Sequence, residues 1–137
     1  MSKVIIKSAN TGAKLEFSEV RHEYCTVTFS SASLNASHRV WFYTGDRERL
    51  VSLFTEMAEH WSGWEGAKIW AAIEADLSLS CTSDSLGHIT LAVELVERDA
   101  PEAWSAQFQV EIEAGQLEQI AREMKAWLGD VSTTETG

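Results

Sequence analysis

The sequence predicts an α+β fold, a mostly antiparallel sheet packed against two amphipathic helices in the order β-β-β-β-α-β-β-β-α. Three observations carry this. Apolar and polar residues alternate over three successive segments of the C-terminal half, the period of a strand with one buried face. Two other segments space their apolar residues by three and four, one stripe of a helix. The chain of 137 residues is 45% hydrophobic, enough for a core that needs no metal or disulfide staple.

The first four strands are expected over residues 4–7, 14–20, 24–30 and 39–43, which are rich in β-branched and aromatic residues. Asn10-Thr11-Gly12 supplies the turn after the first. The first helix is expected over 46–60, with Leu50, Leu53, Phe54, Met57 and Ala58 on its buried stripe and Thr44 or Asp46 as its cap. A strand over 73–81 follows, with Ile73, Ala75, Leu77, Leu79 and Cys81 inward and Glu74, Asp76, Ser78 and Ser80 outward. Residues 83–87 read as a hairpin loop in which Gly87 can take a positive φ. The next strand turns Ile89, Leu91, Val93 and Leu95 inward and Thr90 and Glu94 outward, until Asp99-Ala100-Pro101-Glu102 breaks it. The last strand places Trp104, Ala106, Phe108, Val110 and Ile112 on one face and Gln107, Gln109, Glu111 and Glu113 on the other. The second helix is expected over 115–128, with Leu117, Ile120, Ala121, Met124 and Trp127 buried and Gly129 as its stop. One domain over residues 1–129 and a flexible tail over 130–137 complete the expected organisation.

Eleven Lys and Arg against 21 Asp and Glu give a net charge of −10. Such a chain repels phosphate backbones, which argues against nucleic acid, and it attracts basic proteins. Charge of this size also serves solubility alone. Val4-Ile5-Ile6 is too short for a signal peptide, and no segment approaches membrane-spanning length. A cytosolic chain with both thiols reduced is expected.

The segment from Trp61 to Trp70 holds three of the six tryptophans around two glycines. It reads either as a connection pinned by buried indoles or as an aromatic surface offered to a ligand, with Trp64 and Glu65 as candidate contacts. Cys25 and Cys81 fall on apolar strand faces and read as buried thiols, not nucleophiles. His22, His38, His60 and His88 share no metal-ligand spacing, and no phosphate loop or nucleophile motif is present. Asp84 and His88 flank one hairpin loop and can hydrogen-bond, a pairing that more often stiffens a turn than moves a proton. Glu74, Asp76, Glu94, Glu111 and Glu113 share one inferred sheet face, and no Lys or Arg alternates with them. Sheet surfaces held by ion pairs mix the two signs.

In W-S-G-W-E-G-A-K-I-W, E-A-D-L-S-L-S and D-S-L-G-H-I-T-L-A-V-E-L the chain resembles an uncharacterised bacterial family, domain of unknown function 6228, from about Trp41 to Trp127. That resemblance implies no activity. A looser resemblance, in element order only, is to immunity proteins that neutralise contact-dependent wall-associated toxins. Neither supplies catalytic residues.

The expectation is therefore a small acidic cytosolic binding protein, immunity- or antitoxin-like, that masks a basic protein partner without cofactor or metal. Its candidate contacts are Glu74, Asp76, Glu94, Glu111, Trp64 and Glu65. A self-associating structural or regulatory module is the second reading. An enzyme with a dispersed site near Glu65, Asp84 and His88 is the third.

Overall fold

The computed structural model describes residues 3–21 and 23–135, with side chains through Leu128; His22 lies outside it. Strands β1 (Lys3–Lys7), β2 (Lys14–Ser18), β3 (Tyr24–Ser30) and β4 (Asn35–Trp41) form one four-stranded sheet. Helix α1 (Asp46–Glu59) carries the chain to a second, built from β5 (Lys68–Ala71), β6 (Leu77–Ser83), β7 (His88–Glu97) and β8 (Trp104–Glu113). A 3-10 turn over Ala114–Gln116 leads into α2 (Leu117–Glu135). Each sheet pairs only sequence neighbours, all antiparallel.

The α+β class and the antiparallel pairing are as the alternation predicts, but the strands divide between two sheets and β5 is additional. β5 has only four residues and begins inside the tryptophan-glycine segment, so no window of alternation is long enough to reveal it. β4 starts at Asn35, four residues before the expected position, and ends at Trp41. The second helix passes the expected stop at Gly129 and runs to Glu135. A lone glycine inside a helix costs only about 1 kcal/mol. Side chains of the expected tail, and all of residues 136–137, lie outside the described part.

Both sheets and both helices share one core. Val4, Ile6, Leu15, Phe17, Cys25, Val27 and Val40 come from the first sheet, and Leu77, Leu79, Cys81, Ile89, Leu91, Leu95 and Val110 from the second. Phe29 of β3 stacks on Phe108 of β8 with ring centroids 3.9 Å apart, and Phe17 of β2 meets Trp127 of α2 at 6.0 Å. The helices close the remaining sides through Leu50, Phe54 and Met57 of α1 and Leu117, Ile120 and Met124 of α2. Burial on this scale is the main source of stability.

The two open sheet faces differ in sign. Glu94, Glu111 and Glu113 stand on the outer positions of β7 and β8, and β6, β7 and β8 carry no Lys or Arg. The outer positions of the first sheet carry Lys3, Lys7, Lys14 and Arg39 around Glu16, with Lys7 directly opposite Lys14.

One local arrangement fixes the geometry that follows. Gly45, at φ 85°, is the N-cap of α1 and makes no side-chain cap. The expected cap, Asp46, is instead wholly buried and turned backward. Its Oδ2 accepts the N–H of Tyr43 at 2.8 Å and that of Ile73 at 3.2 Å, and its Oδ1 pairs with Arg49. The Trp70 indole donates to the Asp46 carbonyl at 3.1 Å. The end of β4, the start of α1 and the β5–β6 turn are thus pinned to one carboxylate.

Candidate functional site

Residues 73–76 are not strand. They form the tight β5–β6 turn, closed by Ala75 N–H to Ala72 O at 2.7 Å and Ala72 N–H to Leu77 O at 3.1 Å. Ala75 sits at φ 58°, a left-handed conformation that breaks the period of two. The expected inward and outward assignments therefore fail here. Ile73 is 60% exposed, and Asp76, assigned to the solvent face, is 5% exposed beside buried Leu77. Alternation continued through the turn by composition alone.

Asp76 lines a cleft of about 730 Å³ with His38, Trp41, Tyr43, Glu74 and Glu97. Its Oδ2 accepts the Trp41 N–H at 3.2 Å and lies 3.7 Å from His38 Nε2. Its Oδ1 is buried with no hydrogen-bond partner. Burial raises the Asp76 pKa above the ordinary carboxylate value, against the opposing hydrogen bond from Trp41. The other ring nitrogen of His38 lies 3.2 Å from Glu97 Oε1, so the imidazole bridges two carboxylates while Trp104 packs against it edge-on. Tyr43 donates its hydroxyl to Glu74 Oε1 at 3.1 Å, and that bond raises the phenol pKa.

Two arginines also line the cleft, and the charge of Arg98 opposes the effect of burial on Asp76. Arg98 donates to the carbonyls of Glu74 (2.8 Å) and Ala75 (3.3 Å), and Arg39 lies 4.4 Å over the Tyr24 ring. Among the described residues, seven large apolar side chains are exposed, and four gather here: Trp41 and Tyr43 line the cleft, Ile73 precedes Glu74, and Trp104 covers His38. Exposed apolar side chains scattered singly mean little, whereas a cluster around polar groups marks a binding surface. The arrangement sets carboxylates beside exposed aromatic side chains.

Of the six candidate contacts, the structure unites only Glu74 and Asp76. Glu94 and Glu111 stay on the outer face of the second sheet, where Glu94 accepts from Gln107 (3.1 Å) and Glu111 from Asn10 (2.8 Å). The tryptophan segment divides three ways. Trp70 is core, Trp61 is 64% exposed, and Trp64 is half-buried, donating to the Cys81 carbonyl at 3.1 Å beneath the Lys68 ammonium. Glu65 is exposed on the α1–β5 connection. The sequence reading missed His38, Trp41, Tyr43 and Glu97. The signal for His38 was its phase, since it occupies an inward position of β4 between Ala36 and Val40.

A second hollow, of about 620 Å³, lies between Trp61, Leu86 and Glu113. Beside it His88 Nδ1 hydrogen-bonds Asp84 Oδ2 at 2.9 Å, while Asp84 Oδ1 accepts the N–H groups of Leu86 (2.8 Å) and His88 (2.9 Å). The Asp84 carboxylate thus organises the hairpin turn. No described hydrogen bond joins Glu65 to either residue, and no described cluster of three or more His, Cys, Asp and Glu is arranged for a metal. No helix among the described residues is long and apolar enough to cross a membrane.

The architecture is thus an α+β protein of two antiparallel meanders with a carboxylate-lined cleft between β4, the β5–β6 turn and the end of β7. The chain belongs to DUF6228, a family of unknown function, whose model matches residues 6–131. No curated protein matches it. The family description contains nothing that corresponds to the likeness with immunity proteins.

Proposed function

We propose that the protein is an acidic, cytosolic binding protein that masks a basic protein partner, in the manner of an immunity protein or antitoxin. The observation that carries this reading is the Asp76 cleft. Buried and rim carboxylates meet exposed aromatic side chains there, and one buried carboxylate oxygen lacks a donor. Carboxylates between low-dielectric walls focus their field, so a cationic group entering the cleft gains more than one meeting a solvated glutamate. The acidic outer face of the second sheet steers such a partner at longer range.

The test is kinetic. The tagged chain is used to isolate its partner from the native host, and the complex is re-formed from purified components. The partner should be basic, and association should slow as salt rises, because exposed charges are screened over about 8–10 Å at physiological ionic strength. Glu74→Lys should slow association and speed dissociation, while Glu94→Lys should affect association alone. An acidic partner, or rates indifferent to salt and to both reversals, would overturn the reading.

A further inference from the structure

We infer that the open edge of β8 is a self-association surface: a second copy of this chain adds its own β8 to it, antiparallel, with a two-fold axis at Gln107. The inference stands apart from the binding reading above and does not involve the Asp76 cleft.

The ladder decides which groups are open. The Ala114 N–H donates to the Gly87 carbonyl at 2.8 Å, in register with the β7–β8 pairs, so the even positions of β8 bond to β7 and the odd positions face away. At its C-terminal end this outward edge is occupied, because the Glu111 carbonyl accepts the Ala9 N–H at 2.8 Å. Among the described residues none bonds to the outward backbone groups of Ser105, Gln107 or Gln109, and all three residues are exposed. Sheet edges are normally guarded by charge, proline, a bulge, brevity or a cover. β1 carries Lys3 and Lys7 and packs against α2, β4 carries Arg39 and gives its Trp41 N–H to Asp76, and β5 has only four residues. Residues 104–110 of β8 have no charge, no proline and no break in their pairing. The stretch also fits itself. With Gln107 opposite Gln107 of the other copy, Ser105 meets Gln109, and these pairs exchange backbone bonds. Between them Ala106 falls opposite Phe108, small against large, at the pairs where side chains approach closest. The net charge of −10 does not oppose the contact, since no charges meet within the paired stretch. The Glu94 beside Gln107 stands three strand spacings from its counterpart, about 14 Å, beyond the screening length of about 8–10 Å.

The test is analytical ultracentrifugation of the full chain over a concentration series, with amide hydrogen exchange alongside. Contacts that bury less than about 1,200 Å² are weak, so the dimer should appear as concentration rises, and the amides of Ser105, Gln107 and Gln109 should gain protection with it. Gln107→Lys and Gln107→Glu change an exposed position whose N–H makes no bond to β7, and each sets like charges face to face across the axis. Either should raise the dimer Kd about fivefold or more, and an equimolar mixture of the two should restore association. Circular dichroism checks that both variants fold; should either fail, exchange in the wild type decides. A wild type still monomeric at about 1 mM, a dimer indifferent to both variants, or protection confined to other surfaces would overturn the inference. So would protection of these amides by a foreign partner alone, which would make the edge a docking strand for that partner and leave the binding reading intact.

Discussion

Asp46 accepts the backbone N–H of Ile73 at 3.2 Å, across 27 residues of chain. The bond ties the first turn of α1 to the β5–β6 turn, which carries Glu74 and Asp76. The cleft is therefore held by a residue that does not line it. Asp46→Ala would leave the Tyr43 and Ile73 N–H groups without their acceptor and Arg49 without its carboxylate. A loss of about 1–3 kcal/mol in urea unfolding is expected, since two part-buried donors would go unpaired. Asp46→Asn keeps the acceptor shape and should cost less.

The three tryptophans of the 61–70 segment should respond in graded fashion. Trp70→Ala removes a core indole and its bond to the Asp46 carbonyl, so a cost of about 3–5 kcal/mol is expected. Trp61→Ala should stay within about 0.5 kcal/mol of the parent, as for exposed positions. Trp64→Ala should fall between them. Chemical denaturation of the three variants checks the order, and a large loss at Trp61 would contradict the packing.

The hairpin between β6 and β7 should carry its own pH signature. Hydrogen bonds from His88 lower the Asp84 pKa below 3.8, and the bond to Asp84 raises the His88 pKa above 6.5. The stability from His88 is fully present below 6.5 and is lost as pH rises through its higher folded value. That from Asp84 is present above 3.8 and is lost as pH falls through its lower folded value. The wild-type advantage over His88→Gln in thermal unfolding should thus be greatest between pH 3.8 and 6.5 and shrink on both sides. A difference flat with pH would dissolve the pair.

Cys25 and Cys81 should resist thiol reagents until the protein unfolds. Both are fully buried, and burial pushes Cys81 up to about 12 and Cys25 further still, so thiolate is scarce near neutral pH. Labelling with a chromogenic disulfide should be slow in buffer and fast in urea. Rapid native labelling of either would place it on an accessible surface.

Strands β7 and β8 and the buried stripes of both helices were legible because each runs for ten or more residues, long enough for a period to declare itself. The acidic outer face of the second sheet was partly legible for the same reason, through Glu94 and Glu111. The cleft was not. Asp76 kept the polar phase of the strand that follows, and only the left-handed Ala75 and the pull of Asp46 on Ile73 turn it inward. His38 and Asp76 lie 3.7 Å apart but 38 positions apart in sequence, one on β4 and the other on the turn that leads into β6. Local periodicity carries no information about such a meeting.

The last helix packs on the first sheet, against β1 and, with Phe17 and Trp127 at 6.0 Å between their rings, against β2. During synthesis the chain leaves the ribosome N-terminus first. The first meander can pair its strands as it emerges, since all its partners are local. Its apolar side, with Leu15, Phe17 and Val27, then waits for α2, nearly the whole length of the chain later. Nascent chains of this protein therefore spend most of their elongation with an open, sticky half-core, and a truncation before Trp127 should be captured by holdase chaperones even though every strand is already made.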